Sequence, residues 1–348
     1  MDIRISEGGD MQHMDSAVGV LPEAGGLPAG VRVGEKRPQV LVTGAGGALA
    51  QMVISLLKDR YQLVLVDFRR RVRIDEGMAS YQVEYNKRGF EDIFRRHKIE
   101  AVIHLGRMGV YESTHRYRYN QNVLGTKRLL DLCLKYGVHQ VVVLSTYFVY
   151  GASPYNPALL SEEAPLKASE LTMDLVDSVE LENLASIYLW KHPELNITIL
   201  RPTNIAGPGV LNSLSLMLSR KFAPALLGFS PMMQFIHVED MADAIVLAFE
   251  KNVPGIYNVA ANDWVAFREA LVQCGCTPVP VPSVPENLPR RISRALGWKA
   301  WPAYLLNYYK YPVILDGSLF KSTFGFKPKR SLADIFAHYR EKKEMGIL

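Results

Sequence analysis

The segment Thr43-Gly44-Ala45-Gly46-Gly47-Ala48-Leu49-Ala50 follows the apolar run Gln39 to Val42 directly and opens a stretch with helical spacing. Small residues at that junction have a chemical use. Gly44, Gly46 and Gly47 permit a tight turn, so that bare backbone N–H groups, including those of Ala48 and Leu49, can meet a pyrophosphate at the positive end of a helix; Ala50 lets that helix lie close on the strand. A second apolar run, Gln62 to Val66, leads into Asp67, 20 residues beyond Gly47. A carboxylate there accepts hydrogen bonds from both hydroxyls of an adenosine ribose, which favours NAD over NADP. Arg69, Arg70 and Arg71 follow at once and could instead neutralise a ribose 2′-phosphate or simply face water.

These residues need strands and helices to hold them. Short apolar runs at Gln39 to Val42, Gln62 to Val66, Ala101 to Leu105, Gln140 to Leu144 and Ile197 to Leu200 read as strands buried on both faces. Helical spacing separates them at Ala48 to Lys58, Phe90 to His97, Asn122 to Tyr136, Thr172 to Trp190 and Asp240 to Phe249. The alternation predicts an α/β fold, a doubly wound parallel sheet of the Rossmann type, with its ligand beyond the carboxyl ends of the strands. Residues 1–36 have no sustained period and read as a poorly ordered extension. The dinucleotide-binding domain is expected over 37–205. Residues 206–348 are expected to be mainly a smaller lobe, with about 234–262 returning to the first domain, because Pro and Gly become frequent after Pro202.

The composition excludes other classes. Of 348 residues, 48% are apolar and 22% charged, which supports a sizeable core and argues against a disordered chain. No apolar run is long enough to span a membrane and no secretory leader pattern opens the sequence, so a cytoplasmic protein is expected. Cys133, Cys274 and Cys276 are too few for a disulfide framework or a structural zinc tetrahedron, and no metal is expected. The net charge of +5 is uneven, since residues 286–348 carry 12 Lys/Arg against 5 Asp/Glu.

Further motifs appear in order: His104-Leu105-Gly106, Asn122-Val123-Leu124-Gly125-Thr126, Ser145-Thr146-Tyr147-Phe148-Val149-Tyr150-Gly151, Arg201-Pro202-Thr203-Asn204 to Gly209, Gln234 to Asp240, and Tyr257-Asn258-Val259. Together with the glycine turn, this set resembles the extended short-chain dehydrogenase/reductases, the NAD-dependent epimerase/dehydratase family, over about residues 38–335. The resemblance implies a bound nicotinamide dinucleotide, a small-molecule hydroxyl or carbonyl substrate such as a sugar nucleotide or a lipophilic alcohol, and often a homodimer through two long helices. It also implies that Phe68, Arg69, Glu84, Leu105, Gly106, Arg107, Asn122, Leu144 and Ser145 line the cofactor, while Arg107, Tyr111, Thr146, Tyr147 and Asn204 face substrate. Thr146 stands where the family places its catalytic Ser/Thr. A hydroxyl at a strand end can donate or accept while a substrate oxygen changes between alcohol and carbonyl.

One departure bears on mechanism. The family carries Tyr-x-x-x-Lys at the start of the next long helix, yet no tyrosine occurs between Asn156 and Ile187, and Lys167 lies in the preceding loop. Some other group must move the hydroxyl proton, or the protein binds cofactor without ordinary turnover. Asp174 and Asp177 fall near the vacant positions as candidate acids, or as residues favoured by a helix N-terminus. His115 reads as a loop histidine. The segment between Gly209 and Gln234 is short for a uridine-type pocket. Near the C-terminus, residues 290–311 mix Arg290, Arg291 and Arg294 with Trp298, Trp301, Tyr304, Tyr308 and Tyr309. Such a mixture packs its aromatics inward, or meets a membrane surface; single-stranded nucleic acid ranks last.

Overall fold

Strand β1 (Gln39–Thr43) is buried along its whole length because successive side chains leave a strand on opposite sides and both sides are covered. Val40 and Val42 enter one core with Val53, Ile54 and Leu57 of helix α1 (Ala48–Leu57), whereas Leu41 enters another with Phe90, Ile93 and Phe94 of α2 (Arg88–Arg96). The structure, a computed structural model, describes residues 37–75, 77–85, 87–109, 114–283 and 304–346. The extension expected over residues 1–36 lies outside them.

Strands β2 (Gln62–Asp67), β3 (Ala79–Gln82), β4 (Ile99–His104), β5 (Gln140–Leu144) and β6 (Asn196–Pro202) pair with β1 in one sheet. Helix α3 (His115–Tyr119) runs through a π-helical turn, Asn120–Leu124, into α4 (Gly125–Lys135). Helix α5 (Ala168–Leu171) leads through a short 3-10 turn into α6 (Val176–Lys191), and α4 and α6 cover the sheet beside α2. All five expected runs are strands, and β4 and β6 each start earlier than the apolar run suggests.

The C-terminal lobe contains β7 (Asn204–Ala206), helix α7 (Ser213–Leu218), β8 (Phe222–Leu226), β9 (Met232–His237), β11 (Trp264–Ala266), helix α9 (Phe267–Gln273) and β12 (Thr277–Val281). Between these, helix α8 (Val238–Lys251) returns to the first domain to pack beside α1, and β10 (Gly255–Val259) joins the large sheet. The sheet order is β3-β2-β1-β4-β5-β6-β10, parallel throughout. The chain therefore winds outward from β1 in one direction and then from β4 in the other, which opens a crevice above the carboxyl ends of β1 and β4. Phe320 and Phe324 also return to the α1/α8 face, farther along the chain than the expected segment 234–262. In β12, Pro278 and Pro280 alternate on a strand that among the described residues pairs with β8 alone, the edge placement a residue without an N–H requires. Among the described residues no helix is long and apolar enough to cross a membrane.

Candidate active site

At the carboxyl end of β1 the chain turns through Gly44, whose φ of 66° suits glycine. A Cβ on Gly44 would lie 2.5 Å from Gly106 Cα, so the turn and the end of β4 touch backbone to backbone. Gly47 opens α1 with no side-chain cap and no acid in the first turn, which leaves the amides around Ala48 and Leu49 to an outside acceptor. Asp67, buried at the end of β2, reaches into the same turn: Oδ2 accepts from Gly46 N at 2.9 Å and Oδ1 from Arg69 N at 2.8 Å. Arg70 donates from Nη2 to the Gly46 carbonyl at 2.5 Å. The Gly207-Pro208-Gly209 turn comes close as well, since a Cβ on Gly209 would meet Ala48 Cβ at 3.0 Å. A small-residue cradle, free helix amides and a buried acid at the adjacent strand end fit a dinucleotide.

A hydrogen-bond chain holds Gly106 against this turn. Thr126 Oγ1 donates to the Asn122 carbonyl at 2.6 Å, so toward His104 Nε2, at 3.0 Å, it accepts. That fixes His104 as the Nε2–H tautomer, with Nδ1 accepting from the Thr43 hydroxyl at 2.7 Å, and Gly106 N donates back to Thr43 Oγ1 at 3.3 Å. Complete burial, with Arg107 adding like charge nearby, pushes the His104 pKa down to about 3, so the ring is neutral and structural.

At the end of β5, Thr146 begins a 3-10 turn, and its hydroxyl accepts from Phe148 N at 3.4 Å, which leaves its own proton to donate. Leu144 and Thr146 are half-buried, whereas Ser145 is buried and donates to Glu182. Glu182, on α6, is fully buried and ion-paired with Arg201, whose Nη1 also donates to Tyr150 Oη at 2.7 Å. Tyr150 Oη donates in turn to Asn258 Oδ1 at 2.7 Å. The V-Y-G tyrosine, the Arg-Pro arginine and the Tyr-Asn-Val asparagine thus meet in one buried network behind the strand end.

The two candidate acids differ in kind. Both oxygens of Asp177 are engaged, Oδ1 by Arg118 Nε at 3.1 Å and Oδ2 by Asn122 Nδ2 at 2.6 Å, and the group is buried. Such a carboxylate is an anchor, since it is the buried partner of the Arg118 charge and of the Asn122 amide. Asp174 lies half-buried in the turn before α6, and its carbonyl accepts from Arg118 Nη2 at 3.0 Å. Asn122 is turned inward: it accepts from Met108 N at 2.8 Å and donates to Met108 O at 3.0 Å, clamping the segment after β4. Arg107, within that segment, donates from Nη2 to Ser178 Oγ at 2.6 Å on the first turn of α6. Glu84 accepts from Tyr117 Oη at 2.7 Å and Gln121 Nε2 at 3.1 Å, and Phe68 lies edge-on to Tyr85 with ring centroids 6.0 Å apart. His115 Nε2 donates to the Met173 carbonyl at 3.0 Å.

Toward the lobe, Tyr147 Oη donates to Asn204 Oδ1 at 2.7 Å, and Asn204 Nδ2 to the Gln234 carbonyl at 3.0 Å. Tyr304 and Tyr308 pack edge-on against Phe148, with centroids 5.5 and 4.7 Å apart, and Tyr308 Oη donates to the Phe148 carbonyl at 2.6 Å. Burial among these phenols raises the Tyr147 pKa well above its ordinary value. From 304 onward the aromatics therefore pack inward; residues 290–303, and the substrate candidate Tyr111, lie outside the described residues. Tyr85, Ser178 and Glu182 are site-forming residues that the sequence reading missed. Their contacts span 21 to 71 positions, and no local pattern marks them.

The glycine cradle, the acid at the end of β2 and the hydroxyl at the end of β5, set along one crevice of a doubly wound sheet, are the marks of a dinucleotide-binding fold. The chain belongs to the NAD dependent epimerase/dehydratase family, whose model matches residues 40–260. It is 30% identical over 249 residues to a UDP-glucose 4-epimerase of Azospirillum brasilense, covering 61% of this chain and 68% of that one. An uncharacterised protein of Mycobacterium tuberculosis is 27% identical over 219 residues, and the match spans 63% of this chain but only 58% of that relative's length. Among solved structures, UDP-glucose 4-epimerase of Thermotoga maritima with UDP-glucose superposes with a TM-score of 0.71 at 19% identity, covering 89% of this chain and 100% of that one.

Proposed function

We propose that the protein is an NAD-dependent oxidoreductase of the epimerase/dehydratase type, acting on a hydroxyl or carbonyl carbon of a small molecule, with a sugar nucleotide as the favoured substrate class and a lipophilic alcohol as the alternative. The observation that carries this reading is the placement of Asp67, the Gly44–Gly47 turn and Thr146 at the carboxyl ends of β2, β1 and β5 in one parallel sheet. The epimerase relatives support the substrate class. Asp67 would hold the adenosine ribose and disfavour a 2′-phosphate, the amides of the Gly44–Leu49 turn would hold the pyrophosphate, and Leu105, Gly106 and Leu144 would line the path toward Thr146. When bound, the nicotinamide supplies hydride acceptance and return. Thr146 would donate its free hydroxyl proton to the reacting substrate oxygen and hold it in place. The acid–base role would fall to Asp174 or Asp177, which flank the start of α6, and Tyr147 and Asn204 would shape the substrate side.

The test is turnover. UDP-glucose and UDP-galactose incubated with protein and NAD should interconvert, and Thr146→Ala and Asp174→Asn should each lower the rate by about 10²–10⁴-fold. If neither sugar nucleotide nor a panel of alcohols and ketones is changed, the catalytic reading fails. A second reading, a cofactor-binding protein without turnover, is favoured by one observation: Phe148, Tyr304 and Tyr308 pack tightly beside the β5 end. It predicts bound NAD and a Thr146→Ala variant that retains cellular function.

A further inference from the structure

Lys343, on the last turn of helix α10 (Leu332–Glu344), turns its ammonium into the lobe. A lysine at a helix end ordinarily keeps that group in water. Here Nζ donates to the Leu218 carbonyl at 2.5 Å, to the Cys274 carbonyl, and to Cys276 Sγ at 3.2 Å. Two carbonyls aim the nitrogen, and its third contact is a thiol. Cys276 stands between α9 and β12, is 5% exposed, and donates to the same Leu218 carbonyl at 3.2 Å. An amine and a thiol 67 positions apart in the chain thus meet at contact distance. Cys274 is the second sulfur nearby. Burial pushes its thiol up to about 12; burial also raises Cys276, but the hydrogen bond from Lys343 draws that thiol partway back. The sulfur in contact with the amine is therefore the one whose ionisation is less opposed.

We propose that Cys276 and Lys343 are a modification site at which a hydroperoxide joins sulfur to nitrogen and so fastens α10 to the lobe. The Cys276 thiolate attacks the peroxide: an S–O bond forms, the O–O bond breaks, and the hydroxide released takes up the thiol's proton as water. Sulfur is oxidised to a sulfenic acid and the peroxide is reduced. Lys343 Nζ, having released one proton to solvent, then attacks that sulfur. An S–N bond forms, the S–O bond breaks, and the departing hydroxide takes the second proton from nitrogen. The product is a sulfenamide, lighter than the neutral pair by two hydrogen atoms, and an added thiol returns it to cysteine and lysine. The bond acts beyond its own neighbourhood. Tyr339, one helical turn before Lys343, donates to Ser215 Oγ at 2.8 Å and accepts from Gly207 N at 3.0 Å, and Gly207-Pro208-Gly209 is the turn packed on Ala48. This inference stands apart from the functional reading above.

Peptide mapping of the full chain after hydrogen peroxide treatment, with free thiols blocked afterwards, tests it. The wild type should give one peptide pair joined through Cys276 and Lys343, which dithiothreitol separates. Cys274→Ser should give the same joined pair. Lys343→Gln should give none and leave Cys276 as a sulfenic acid that a cyclic diketone labels. The joined wild type should unfold about 3–10 °C higher than the reduced protein, as expected for closing a loop of this length. A Cys274–Cys276 disulfide, or sulfinic or sulfonic acid at Cys276 without the joined pair, would overturn the proposal, as would an untouched Cys276 at peroxide levels that oxidise the exposed Met173 and Met345. A joined pair with an unchanged unfolding temperature would overturn the fastening of α10. The mapping needs only the wild type, so it decides the question even where a variant fails to fold.

Discussion

Gly106 and the Tyr85 hydroxyl share one space: a Cβ on Gly106 would lie 1.8 Å from Tyr85 Oη. The phenol fills the volume beneath the β4 end, and only glycine lets the backbone pass over it and touch Gly44. Gly106→Ala must therefore displace either the ring or the phosphate turn. We expect a loss of about 1–3 kcal/mol in stability, the usual cost of overpacking, together with weakened dinucleotide binding, measured by urea unfolding and calorimetry. Unchanged values on both would show that the contact is slack.

His104 makes stability depend on pH. Its folded pKa, about 3, lies below the ordinary value of 6.5, so the unfolded chain takes up a proton that the folded chain refuses. This contribution is fully present above about pH 6.5 and is lost as pH falls toward 3, at up to about 1.4 kcal/mol per pH unit. Urea titrations across that range should show a shallower fall for His104→Gln than for the wild type, and parallel slopes would contradict the buried neutral ring.

The Glu182–Arg201 pair is sealed behind the end of β5, at 0 and 4% side-chain exposure. Removing either partner leaves a buried charge, so Glu182→Leu and Arg201→Leu should each cost about 3–5 kcal/mol, while the double variant should cost much less than their sum. A double-mutant cycle from thermal unfolding reads this directly; additive losses would mean that the pair is not coupled.

The central sheet was legible because strands covered on both faces demand unbroken apolar runs, as in Gln140–Leu144. The edge strand Ala79–Gln82 was not, since among the described residues Ala-Ser-Tyr-Gln pairs with β2 alone and carries no such run. The glycine turn and Asp67 were legible because each closes an apolar run, and parallel pairing of β1 with β2 sets those two ends side by side. Asp177 was ambiguous, because Arg118, which holds it, lies 59 positions away. Ser178 and Glu182 read as ordinary helix positions, and only their contacts with Arg107 after β4, Ser145 after β5 and Arg201 on β6 bring them to the site.

Calorimetric titration of the protein with NAD and NADP, repeated on Asp67→Asn, most directly tests a dinucleotide held by the Gly44–Leu49 turn and Asp67. The wild type should take up one NAD per chain and prefer it to NADP, and Asp67→Asn should weaken NAD about tenfold or more and narrow the preference. Absence of binding by either coenzyme, oxidised or reduced, would contradict it.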